Sequence, residues 1–153
     1  MFQRKLRSFN EVMNAINKIP NINAGGCGIS ALAMYMWIEK NEKHKPTILF
    51  CYQSHSKKRY DNNKQALNSK NSTLEVPNHV ALIYQRKKID SNGIIWDFKP
   101  YYKYHHRVNL TKLKDTIIKS PDWNCEFDRK KYLKKIESII DMKMNVQAIE
   151  EVS

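Results

Sequence analysis

Apolar residues recur at three- and four-residue intervals from Phe9 through Val12, Met13, Ile16 and Ile19 until Pro20 interrupts them. That period is one apolar helical stripe, and Ser8 followed by Glu11 makes a capping box, so a first helix is predicted over about 8–19. After NINAGG the pattern changes. Residues 27–41 are apolar on nearly all sides and contain no breaker beyond Gly28, which predicts a central helix enclosed by other elements. Thr47 to Tyr52, TILFCY, is β-branched and aromatic and follows Pro46, as a buried strand does. Residues 53–73 are almost wholly polar, setting Lys57, Lys58, Arg59, Lys64 and Lys70 against Asp61, and read as a long exposed loop. Val80–Tyr84 and Ile89–Ser91 read as short strands around a polar turn at 85–88, and Asn92-Gly93 as a second turn before Ile94, Ile95 and Trp96. Two helices follow. Leu110–Lys119 places Leu110, Leu113 and Ile117 on one face and stops at Ser120-Pro121; Asp128 caps a stripe of Tyr132, Leu133, Ile136, Ile139 and Ile140. Residues 144–153 read as a short helix or a frayed tail. Helices, then antiparallel strands, then helices make an α+β fold, and 153 residues without an internal repeat make a single domain over 1–153.

Composition changes this picture in two respects. Lys plus Arg (27) against Asp plus Glu (15) gives a net charge of +12, which favours anionic partners, although the abundance of Lys and Asn also suits a phage or mobile element of an AT-rich bacterium. Cys27, Cys51 and Cys125 are odd in number and form no CxxC pair, which excludes a disulfide framework or zinc ribbon and fits a reducing compartment. The basic start MFQRKLRSFNEV leads into no apolar h-region, and the longest apolar run, Ile29 to Ile38, is about half of a bilayer span. A cytoplasmic protein without a membrane span is expected.

The 4 glycines of the chain are unevenly placed, with Gly25, Gly26 and Gly28 flanking Cys27 where the central helix begins. The first turn of a helix has unpaired N–H groups and the positive end of the macrodipole. Both stabilise a thiolate and the oxyanion formed when sulfur attacks a carbonyl. In PNHVALIYQRKKIDSNG, His79 begins one strand and Asp90 stands in the return strand, where a carboxylate can orient an imidazole. Cys27, His79 and Asp90 form a complete catalytic set, with Asn92 and Asp97 as alternative third members. Taken singly, each has a plainer reading: a small buried thiol, a strand-end histidine and a turn-forming aspartate.

Cys27 in GGCGISA, His79 in NHVAL and Asp90 in IDSNG, in that order, resemble the papain-like superfamily of cysteine peptidases, including its bacterial transglutaminase-like and NlpC/P60-like branches, over roughly residues 20–97. The resemblance implies a central helix that starts at the nucleophilic cysteine and packs on a small antiparallel sheet with additional helices. It also implies a cysteine hydrolase acting on amide or related acyl bonds through an acyl-thioester, as a peptidase, amidase or deamidase/transglutaminase-like enzyme without a cofactor. No Gln precedes Cys27 by a turn and no aromatic follows it, so the likeness is to the superfamily and not to papain; Asn23 takes the oxyanion-hole role. The expected substrate is a protein or peptide, with the basic balance pointing to an acidic or nucleic-acid-associated one. FKPYYKYHHR carries a rival reading, in which Tyr101, Tyr102 and Tyr104 with Lys103 and Arg107 bind single-stranded nucleic acid by stacking and phosphate contact. A catalytically silent interaction protein is a third. His105 and His106 lack an acid or cysteine at ligand spacing, so no metal site is expected.

Overall fold

A computed structural model describes residues 11–19, 27–70, 72–90, 93–95, 102–119 and 129–152. The first helix, α1, is helical at 11–17 and buries Val12, Met13 and Ile16, as the spacing requires; Ser8 and Phe9 lie outside the described residues. Helix α2 spans Cys27–Asn41, the predicted bounds, and every residue from Gly28 to Met34 is buried. A helix enclosed on all sides needs such a sequence, and small Gly28, Ser30, Ala31 and Ala33 let its neighbours approach while Ile29, Leu32 and Met34 fill the gaps. It packs against the final helix and the second strand.

Strands β1 (Thr47–Tyr52), β2 (His79–Tyr84), β3 (Lys87–Asp90), β4 (Gly93–Ile95) and β5 (Tyr104–Val108) form one antiparallel sheet in the order β4-β3-β2-β1-β5. Side chains alternate between its faces. Ile48, Phe50, Tyr52, Val80, Leu82, Tyr84 and Ile89 join the main core with α1, α2, α4 (Leu110–Lys119) and α5 (Arg129–Val152), whereas Leu49, Cys51 and Ala81 form a smaller cluster with Ile83 and Tyr102. Stability therefore rests on buried aliphatic side chains such as Ile29 and Ile48, each contributing about 1.5–3 kcal/mol by burial. Among the described residues no helix is long and apolar enough to cross a membrane.

Four features correct or extend the expectations. Residues 53–73 are not a loop throughout, because a 3-10 turn at Ser54–Ser56 runs into α3, Lys57–Ala66. This helix has no apolar period to detect, since its inward residues include Tyr60 and Asn63. Asn63 is fully buried; its Nδ2 donates to the Tyr52 hydroxyl (2.6 Å) and the Glu75 carbonyl (2.9 Å), and its Oδ1 accepts the Glu75 N–H (2.8 Å). Hydrogen bonds replace hydrophobic burial there. The second is β5, which the apolar pattern does not show, a strand of only one aliphatic residue, Val108, in which Tyr104 and His106 point inward on an edge. Third, the β2–β3 turn comprises only Gln85 and Arg86, both at positive φ (48° and 68°), the twist-matched hairpin geometry usually given to Asn and Gly. Fourth, the backbone from 144 to 152 is helical as part of α5. Strand β4 starts at Gly93, while Asn92 and Trp96 lie outside the described residues.

Candidate functional site

Antiparallel pairing gathers the chemistry at one end of the sheet. Strand β1 finishes where β2 begins, with Cys51 paired to His79, and where β5 begins, with Tyr52 paired to Tyr104. Leu82 pairs with Ile89, so the next position of β3 brings Asp90 beside Ala81 and diagonal to His79 on the same face. The diagonal is closed by a hydrogen bond: His79 Nε2 lies 2.7 Å from Asp90 Oδ2, and both side chains are buried. A carboxylate can only accept, so Nε2 carries the proton and Nδ1 is the nitrogen left for another partner.

Cys27 approaches the same ring from the first residue of α2, whose first turn holds no acidic side chain, and after Asp90 it is the next group that raises the His79 pKa. The first N–H groups of a helix have no intrahelical acceptor, and this half-buried cysteine is the first residue of such a helix. Burial alone would lower the His79 pKa; the hydrogen bonds to Asp90 and Cys27 and the charges of both outweigh it, and the ring is raised from 6.5 to about 9. The charged form of the imidazole is thus favoured. Proton acceptor, orienting acid and sulfur meet in the chain order Cys, His, Asp.

The surroundings fix the ring further. Tyr102 stacks on His79 with ring centroids 5.3 Å apart and planes 7° from parallel. An aromatic face against an imidazolium is attractive and keeps water from that side. Cys51, opposite His79 on β1, is fully buried, and desolvation pushes its thiol up to about 12 against the opposing charge of Lys88, so it stays protonated. Ser30, one turn along α2 from Cys27, shares a void of about 10 Å³ with Asp90, and its hydroxyl is buried without a hydrogen-bond partner among the described residues.

Other sequence candidates separate from this cluster. Asn23, Asn92, Asp97, Tyr101 and Cys125 lie outside the described residues. Tyr104 stacks on Tyr60 (5.0 Å, 23°), with Lys103 Nζ over its ring at 5.7 Å; Lys103 and Arg107 are exposed. One face each of Tyr102 and Tyr104 is therefore occupied from within the protein. His106 accepts the Tyr52 hydroxyl at Nε2 (2.6 Å) and donates from Nδ1 to the Arg107 carbonyl (3.4 Å), and burial lowers its pKa, so it sits neutral in an aromatic cluster. Sequence reasoning gave Tyr102 to nucleic acid and missed its place on His79, because nothing local to FKPYYKYHHR reveals that β5 begins beside β2 through β1.

No family model, curated protein or solved structure matches the chain. What defines the class of site is therefore its geometry: a cysteine at a helix start, joined through an imidazole to a buried carboxylate.

Proposed function

We propose that this protein is a cysteine hydrolase of papain-like type, with Cys27 as nucleophile, His79 as general base and acid, and Asp90 orienting the ring. One observation carries the reading: the His79 ring is hydrogen bonded to buried Asp90, and Cys27 at the start of α2 is the next group acting on the same ring. In this scheme the Cys27 sulfur, its proton passed to His79 Nδ1, adds to an amide carbonyl carbon. The negative charge on the carbonyl oxygen is received by the Cys27 backbone N–H, with Asn23 assigned as the second donor. The C–N bond then breaks, the nitrogen leaves with the proton from Nδ1, and an acyl-thioester remains. Water attacks the thioester as His79 takes its proton, releasing the acid and the thiol. An amine in place of water would give transfer, and a glutamine side chain as the acyl donor would give deamidation, with the same residues in the same roles.

Reactivity tests this without knowledge of the substrate. At pH 6, iodoacetamide is expected to alkylate Cys27 far faster than buried Cys51, and His79→Ala to remove the difference; equal rates in the unaltered protein refute the proposal. The rival nucleic-acid reading expects single-strand affinity that falls steeply with salt and survives Cys27→Ala. The internal stacking of Tyr102 and Tyr104 favours the hydrolase.

A further inference from the structure

Ser30 is a polar residue in a place that suits an apolar one. It lies in α2 one turn beyond Cys27, is almost wholly buried, and its hydroxyl has no hydrogen-bond partner among the described residues. Packing does not require that hydroxyl. Alanine would let neighbouring elements approach as closely, would propagate the helix more readily and would bury no polar atom. A hydroxyl inside a helix often returns to the carbonyl four residues back, as Thr116 does to Lys112 (2.7 Å) and Ser138 to Lys134 (3.0 Å). Ser30 makes no such bond. It lines instead a void of about 10 Å³ where α2 packs on β2 and β3. Apolar residues such as Met13, Met34 and Leu82 make most of the wall, and the other polar residue on it is Asp90, the last of β3, which accepts the His79 Nε2 proton at 2.7 Å.

A void of this volume has room for one water molecule and no larger guest, and a buried water is retained where at least two polar groups meet it. We infer that one buried water in this void joins the Ser30 hydroxyl to the Asp90 carboxylate, which makes Ser30 a positioning residue of the proposed catalytic set. The water donates one hydrogen to the carboxylate, which only accepts, and makes its second bond to Ser30 Oγ. A buried hydroxyl that costs free energy when unpaired is thereby satisfied. Asp90 is then held from two sides, by His79 within the sheet and by α2 through the water. The helix that carries the sulfur at its first residue also braces, one turn later, the acid that orients the ring, so one element sets both ends of the Cys27, His79, Asp90 line. The positioning role rests on the catalytic reading; the water does not.

Three measurements on the full chain test it. A crystal structure is expected to show one water within about 3 Å of both Ser30 Oγ and an Asp90 carboxylate oxygen. A dry void, or a water that reaches Ser30 alone, overturns the inference. In urea, Ser30→Ala is expected to unfold at a lower midpoint than the unaltered protein, because a bonded hydroxyl is lost. Were the hydroxyl unbonded, the better helix former without a buried polar atom would raise the midpoint, and that result also overturns the inference. The third measurement reads the positioning role. Ser30→Ala is expected to slow the alkylation of Cys27 by iodoacetamide at pH 6 about threefold, and to slow it no further in the His79→Ala protein, because its effect passes through Asp90 and the ring. Equal slowing in both backgrounds places the effect on the helix start itself and overturns the positioning role, as does no slowing in either. Reaction of Cys27 no faster than Cys51 in the unaltered protein sinks the catalytic set and the positioning role with it, while the crystal structure and the urea midpoints still decide the water.

Discussion

Replacing Asp90 by Asn keeps the shape of the side chain and a hydrogen-bond acceptor for His79 Nε2 while removing the charge. In the unaltered protein the 2.7 Å bond to the Asp90 carboxylate is the first of the contributions that oppose burial and lift the ring from 6.5 to about 9, a change worth about 3 kcal/mol. A charge-assisted hydrogen bond is about twice as strong as a neutral one, so the Asp90→Asn protein retains about half of that bond and loses the Coulombic attraction outright. If the ring titrates about one pH unit lower, its cationic population near pH 8 falls by about twofold, and the alkylation of Cys27 is expected to slow by about the same factor. Two readouts are needed. The His79 ring proton is followed by NMR from pH 5 to 10, and the alkylation of Cys27 by iodoacetamide is followed by peptide mapping. Cys51 serves as the internal control, because burial pushes its thiol up to about 12. A protein that folds normally, whose ring titrates at an unchanged pH and whose Cys27 reacts at an unchanged rate, would refute the argument that Asp90 acts on sulfur through the imidazole.

Other consequences are independent of substrate. A ring whose pKa is raised on folding binds its proton more tightly in the native state, so the stability it contributes is fully present below pH 6.5 and is lost as pH rises through about 9. Urea melts across that window are expected to show a decline of about 3 kcal/mol that is absent in His79→Gln; a flat profile in the unaltered protein contradicts the pairing. Asn63→Ala removes hydrogen bonds to Tyr52 and to both backbone groups of Glu75, and is expected to cost about 2–4 kcal/mol in denaturant unfolding; a loss below about 1 kcal/mol would mean that water substitutes for the amide. Gln85→Asn with Arg86→Gly suits the positive φ at both turn positions and is expected to raise the unfolding free energy by about 1 kcal/mol, with no gain arguing against that turn geometry.

Much of this molecule is legible along the chain, and for a common reason. Period-3.6 apolar residues in α1 and α4, the unbroken apolar run of α2 and the β-branched run of β1 all announce surfaces that must be buried, so their positions follow from local pattern alone. The His79–Asp90 pair is legible as well, because a hairpin of adjacent strands brings residues eleven apart in sequence onto one face without help from the rest of the fold. Other features depend on partners distant in sequence. Helix α3 turns Tyr60 and Asn63 inward and is held by Tyr52 and the Glu75 backbone; β5 is a strand because β1 offers it an edge; Tyr102 meets His79 only because both flank the same end of β1. Apolar period reports what leaves water, and it is silent where burial is satisfied by hydrogen bonds or by stacking against a side chain that another strand delivers.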